Sequence, residues 1–230
     1  MNNTIAIFRK QLKDTLKNKT VLIQFVMFPI LTLVMNYATE IDGIPKDFFV
    51  NLFAAMYIGM TPLTSIAAIM AEEKENNTLR VLMMSNVKSY EYLLGIGSYV
   101  WSTCMFGSFV ICIAGDYKLW VSIIFMGIMG IGILVSLLIG AAIGIWSRTQ
   151  MMATSVTLPV MMIFSFMPML SLFNTSIAKI AKFTYSEQIS LMINQVNNFQ
   201  IDAESICIIV LNMSVAAVLF ALAYKKCGLV

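Results

Sequence analysis

Histidine is absent from this sequence, which removes the commonest general base and the commonest metal ligand. Charged residues are scarce, at 12%, and no Asp, Glu, Lys or Arg falls inside a long apolar run. Ionisable groups within a membrane ordinarily mark proton relays and ion-coupling sites, so proton-driven transport is not expected. No G-x-x-x-x-G-K-[ST] loop occurs, and the chain therefore has no cradle of its own for nucleotide phosphates. Cys104, Cys112, Cys207 and Cys227 show neither paired nor C-x-x-C spacing, which argues against a disulfide framework or a zinc site. Without a histidine, a metal cluster or a recognisable nucleophile arrangement, a membrane-embedded hydrolase is not expected either.

What the sequence has in excess is apolar length. At 59% hydrophobic residues and a mean hydropathy of +0.83, a chain of 230 residues is too apolar for a soluble domain. Crossing a hydrocarbon core of about 30 Å takes roughly 20 helical residues. Six segments qualify: 21–38, 48–71, 93–114, 119–147, 156–174 and 206–224. The expected fold is all-α, one six-span domain covering residues 1–230, with short turns at 40–47 and 115–118.

Orientation follows from lysine and arginine. Arg9, Lys10, Lys13, Lys17, Lys19, Lys74, Arg80, Lys88, Arg148, Lys225 and Lys226 lie on one side of such a plan, against Lys46, Lys118, Lys179 and Lys182 on the other. The richer side is expected in the cytoplasm of a multi-pass cell-membrane protein, with both termini. Residues 1–20 lack a small-residue cleavage site and do not read as a signal peptide. Ile5, Phe8, Leu12 and Leu16 recur at helical spacing opposite the basic residues. That pattern fits an amphipathic helix in the lipid interface, and equally a basic flank that orients the first span.

The stretch 71–95, A-E-E-K-E-N-N-T-L-R-V-L-M-M-S-N-V-K-S-Y-E-Y-L-L-G, is a charged island between two apolar runs. Asn76, Asn77 and Thr78 are helix N-cap types, carboxylates precede them, and Leu79, Leu82 and Met83 share one helical face. A solvated loop with a surface helix is the plain reading. The letters resemble something more specific: Glu73-Lys74-Glu75, Thr78-Leu79, Leu82 and Ser85-Asn86-Val87, followed by Glu91-Tyr92-Leu93-Leu94-Gly95, resemble the E-x-E-x-G-T-L-x-x-L segment of ATP-binding cassette type-2 permeases. Asn77 stands where that family usually has Gly, and Asn86 where it usually has Pro.

The resemblance implies that residues 72–92 form a cytoplasmic coupling segment docking on a separate ATPase subunit. Glu72, Glu73, Glu75, Thr78, Leu79, Leu82 and Met83 would carry the contact. It implies a second permease subunit, identical or paralogous, in a lipid bilayer, no nucleic-acid partner, and no cofactor in this chain, ATP and Mg being held by the ATPase. The chain is then not itself an enzyme. It would export an amphipathic or lipophilic passenger, with antimicrobial-peptide export or immunity preferred to small-drug efflux. A non-transporting membrane receptor or immunity protein is the reading from another class. Uncharged polar residues along the spans, Gln24, Asn51, Thr61, Thr64, Ser65, Ser102 and Asn212, suit such a passenger better than an anionic polysaccharide.

Three further patterns bear on the fold. Gly132, Ser136, Gly140 and Gly144 repeat every four residues, a small stripe that lets another helix approach. Pro29, Pro62, Pro159 and Pro168 interrupt spans, so neighbouring helices or hydroxyls must satisfy the freed carbonyls. Such kinks suit gating or ordinary packing distortion. Within 175–203, Ile177, Ile180 and Phe183, then Ile189, Met192, Ile193 and Val196, suggest two short amphipathic helices broken near Thr184. The family resemblance implies that they dip into the outer leaflet; a loop lying on the surface would leave the same trace.

Overall fold

The computed structural model describes residues 3–38, 45, 47–196 and 202–227, and is all-helical. Ten α-helices are described: α1 (Asn3–Lys17), α2 (Lys19–Ala38), α3 (Phe48–Glu75), α4 (Thr78–Met84), α5 (Ser89–Ala114), α6 (Leu119–Trp146), α7 (Gln150–Phe173), α8 (Thr175–Ala181), α9 (Tyr185–Asn194) and α10 (Ala203–Cys227). Of these, α2, α3, α5, α6, α7 and α10 are long and apolar enough to cross a membrane, which makes the chain a multi-pass membrane protein. Several run a turn past the expected apolar limits, because backbone hydrogen bonding continues beyond the point where side chains leave the hydrocarbon. Most of the linker expected at 40–47 lies outside the described residues.

The spans alternate in direction, so α1, α4 and the α6–α7 turn share one end, here the basic end, and the turn after α5 lies at the far end. α3 is the central span: 72% of its most apolar window is buried, against 17% for α7 and 11% for α10. It packs most extensively on α6 and α7. The small stripe of α6 makes the first contact possible. A Cβ on Gly140 would strike the Leu63 carbonyl oxygen and lie 2.9 Å from Leu63 Cα, and one on Gly144 would meet Ala67 Cα at 3.2 Å. Gly59 on α3 does the same for α7, where a Cβ would lie 2.7 Å from the backbone of Phe164 and Ser165.

Ser136 has a second task besides being small. Pro62 cannot donate to the carbonyl of Ile58 four residues back. Ser136 Oγ donates to that carbonyl at 2.7 Å, satisfying the group across the helix interface.

α1 packs along α5, with Ile7 against Gly95 and Phe8 edge-on to Tyr99 at 5.7 Å. Its buried face is Ile7, Gln11 and Thr15, mostly polar, whereas Ile5, Leu12 and Leu16 remain exposed. Of the apolar stripe read from the sequence, Ile5, Leu12 and Leu16 thus point away from the protein while Phe8 packs on α5.

Of the segment before α10, whose residues 197–201 lie outside the described residues, α8 is largely exposed and α9 is buried among the spans. α8 descends from the end of α7, the chain turns at Lys182-Phe183-Thr184, and α9 climbs back towards the far end. Tyr185 is fully buried, its ring 4.8 Å from Phe164. Its hydroxyl is 2.7 Å from Ser136 Oγ and donates to it, since that serine's own proton is committed to Ile58. At the tip, Asn212 Nδ2 of α10 donates to the Phe183 carbonyl at 2.9 Å. Asn194, at the top of α9, accepts from Asn51 Nδ2 at 2.7 Å. Asn212 lies nine residues into α10 and Ile58 ten into α3, which puts the tip roughly 10–15 Å below the far end. α8 and α9 thus form a hairpin whose tip lies below the starts of α3 and α10, with its freed backbone groups partnered, as any segment dipping into lipid would require.

Candidate coupling site at the basic end

Glu72, Glu73, Lys74 and Glu75 form the last turn of α3, where the sequence suggests the start of a loop. Three of them are committed to three other helices. Glu73 is 6% exposed and accepts from Lys10 Nζ at 2.5 Å and Gln11 Nε2 at 2.6 Å, both on α1. Lys74 Nζ donates to the carbonyl of Ile145 in the last turn of α6, where a cation suits the negative end of the helix dipole. Glu75 Oε2 accepts from the backbone N–H of Gln150, the first residue of α7, where a carboxylate suits the positive end, at 2.8 Å. Glu72, half-buried, lines an open cleft of about 540 Å³ with Lys10, Asp14 and Asn76. The end of the central span is therefore wired to α1, α6 and α7.

Asn76 and Asn77 make the turn into α4. Asn77 takes φ 56°, a left-handed conformation that asparagine tolerates better than most residues, and its side chain makes no capping bond. Thr78 Oγ1 instead donates back to the Glu73 carbonyl at 3.1 Å. Asn86 takes φ 65°, which the ring of proline forbids. Both positions that depart from the family pattern are therefore positive-φ asparagines. After α4, Glu91 Oε2 accepts from the Lys88 backbone N–H and from Asn3 Nδ2, each at 2.9 Å, closing the linker onto the start of α1.

The tight turn folds α4 back on its own bundle, which divides the expected contact residues between buried and open positions. Leu79 is 1% exposed, and Leu82 and Met83 are half-buried against the core. Leu79 is covered by its own chain. Glu73 is likewise spent on α1. The side of α4 left open carries Arg80, Val81 and Met84, the last two 61% and 81% exposed. The expected contact residues therefore come together at one end of the bundle: Glu73 and Leu79 are buried, Glu72, Leu82 and Met83 half-buried, and Glu75 and Thr78 exposed beside the ridge of Arg80, Val81 and Met84. Lys10, Gln11, Arg80, Val81 and Met84 escape a reading by motif; the i, i+3 spacing of Val81 and Met84 was the available signal.

The polar span residues are mostly staples. Thr61 Oγ1 donates to the Gln24 carbonyl at 3.2 Å and Ser65 Oγ to Gln24 Oε1 at 3.3 Å, joining α2 to α3. Thr64 bonds within its own helix, to the Met60 carbonyl at 2.8 Å. Ser102 is exposed. Among the described residues no three His, Cys, Asp or Glu side chains come together as a metal site requires.

The Lys10–Glu73 pair gives an asymmetric test. Lys10→Ala leaves a buried carboxylate with one neutral donor and should lower stability by about 2 kcal/mol. Glu73→Gln frees Lys10 to turn into water and should cost roughly half as much. Thermal unfolding of the purified variants in detergent reads the order; the reverse order would mean that the pair does not hold α1 in place.

No family model matches this chain, and a search of curated proteins likewise returned no match.

Proposed function

We propose that this chain is the membrane-spanning subunit of an ATP-binding cassette exporter of the type-2 kind, driven by a separate ATPase subunit. One observation carries the reading: a seven-residue helix between two spans presents Val81 and Met84 outward, while the turn before it is bonded to α1, α6 and α7. In this reading the basic end faces the cytoplasm, as the lysine and arginine bias favours. An ATPase seated on Arg80, Val81 and Met84 moves α4 when it closes on ATP. The displacement reaches α3 through the Asn76-Asn77 turn, and the bonds of Glu73, Lys74 and Glu75 distribute it to three further helices. Coupling then amounts to the ATP-bound partner favouring one of two arrangements of the spans.

Two such chains work as a pair, and the sparse burial of α7 and α10 leaves room for lipid or a second copy beside them. The passenger is amphipathic or lipophilic, with antimicrobial-peptide export or self-immunity ahead of small-drug efflux. The test is ATP hydrolysis by the chain reconstituted with its ATPase in lipid vesicles. A membrane-active peptide should raise turnover several-fold, and small lipophilic dyes should leave it unchanged. The reverse selectivity would assign drug efflux, and hydrolysis indifferent to both would remove the transport role.

A further inference from the structure

The hairpin places charge where the spans have none. α8 and the turn after it carry Lys179 and Lys182, both exposed, next to Ile180 and Phe183, which are 64% and 74% exposed. Among the described residues neither lysine takes part in an ion pair. Glu187, the carboxylate nearest in sequence, is 7% exposed and engaged with Ser171 Oγ at 2.9 Å. The depth of Lys182 follows from its neighbours: its own carbonyl accepts from Gln188 Nε2 at 2.6 Å, and the next carbonyl accepts from Asn212 of α10. The apolar run of α10 starts at Ile206, six residues before Asn212, which places the tip about 9 Å, or roughly a third of the way, into a core of about 30 Å.

An ammonium group at that depth stays charged only by meeting water or an anion. Snorkelling moves it several ångströms towards the far end, where water or a polar group must still meet it. The exposed face offers two unpaired cations flanked by two large apolar side chains. That is the complement of a molecule with an anionic head and an apolar body. We infer that the outer face of the hairpin is a binding site for an anionic amphiphile, with Lys182 and Lys179 meeting its phosphate or carboxylate and Ile180 and Phe183 its apolar part.

This rests on the transport reading only in naming the amphiphile a passenger.

The experiment needs neither ATPase nor transport. Lys182→Cys, in membranes opened to reagents on both sides, is treated with an anionic or a cationic membrane-impermeant methanethiosulfonate, and the parent chain with its native cysteines gives the background. Both reagents should react, with the anionic one favoured several-fold, the effect of the remaining cation of Lys179 three residues away. Adding Lys179→Gln should abolish that preference. Short-chain phosphatidylglycerol should slow the modification several-fold, whereas short-chain phosphatidylcholine and inorganic phosphate should not.

Protection by inorganic phosphate alone would reduce the site to a simple anion site, and equal protection by phosphatidylcholine would remove the headgroup preference; either overturns the amphiphile assignment. No reaction with either reagent places the tip in lipid or against a second copy and overturns it outright. A failure here with ATPase docking at Met84 intact would remove this site and leave the exporter reading standing.

Discussion

Gly140→Val should destroy the packing of the two central spans. The added Cβ meets the backbone of Leu63, its Cα at 2.9 Å and its carbonyl oxygen closer still, and Ile66 Cγ2 at 2.6 Å. A flexible side chain could turn away, but a helix backbone cannot, so α3 and α6 must separate along their whole contact. Overpacking ordinarily costs about 1–3 kcal/mol, and a backbone clash at the most extensive interface belongs at or beyond the upper end. Gly127→Ala is the matched control, since a Cβ there meets nothing within 4 Å and replaces glycine in a helix by a better former. Monodispersity and thermal unfolding in detergent should separate the two variants widely. Equal stability would show that the stripe of α6 does not set the distance between these helices.

The second large effect is expected at the outward ridge of α4. Met84→Asp puts a charge at the middle of the proposed contact and should weaken ATPase association by about 2 kcal/mol or more, roughly thirtyfold, while leaving the chain's own stability unchanged because Met84 is 81% exposed. Leu79→Asp should do the opposite. It buries a carboxylate in the core, and the loss should appear as unfolding before any partner is added. Glu75→Gln should weaken the cap on α7 by less than either, because a neutral amide oxygen still accepts from Gln150. Affinity of the purified variants for the ATPase, measured beside their melting temperatures, separates a lost contact from a lost fold.

The contrast between Leu79 and Met84 also marks what sequence can carry. Period and length gave six spans and two short helices before the last one, because burial in lipid imposes a run of apolar residues that needs no partner to be visible. A helical face formed by Leu79, Leu82 and Met83 was equally visible, but periodicity fixes only that a face exists. Which way it points depends on the two-residue Asn76-Asn77 turn, whose left-handed Asn77 folds α4 back on the bundle. The commitments of Glu73 were hidden for another reason: its partner Lys10 lies 63 positions away and sits among several interchangeable lysines.

Depth was the least legible property. The 175–203 segment contains enough polar residues to pass for a surface loop. The placement of α9 and of the turn before it rests on Ser136 and Asn212, each chosen by a carbonyl or hydroxyl far along the chain. The role of Ser136 could have been anticipated from Pro62, since a proline in a span announces an orphaned carbonyl four residues earlier.

Docking of a nucleotide-binding subunit on α4 can be tested without knowing the passenger. A photo-reactive phenylalanine analogue at position 84, irradiated in native membranes containing an azido derivative of ATP, should give one adduct that carries both this chain and the nucleotide label. The same analogue at Phe109, exposed on the flank of α5, should give none. An adduct at position 84 without nucleotide label, or labelled adducts of equal yield at both positions, would contradict the assignment of α4 as the coupling helix.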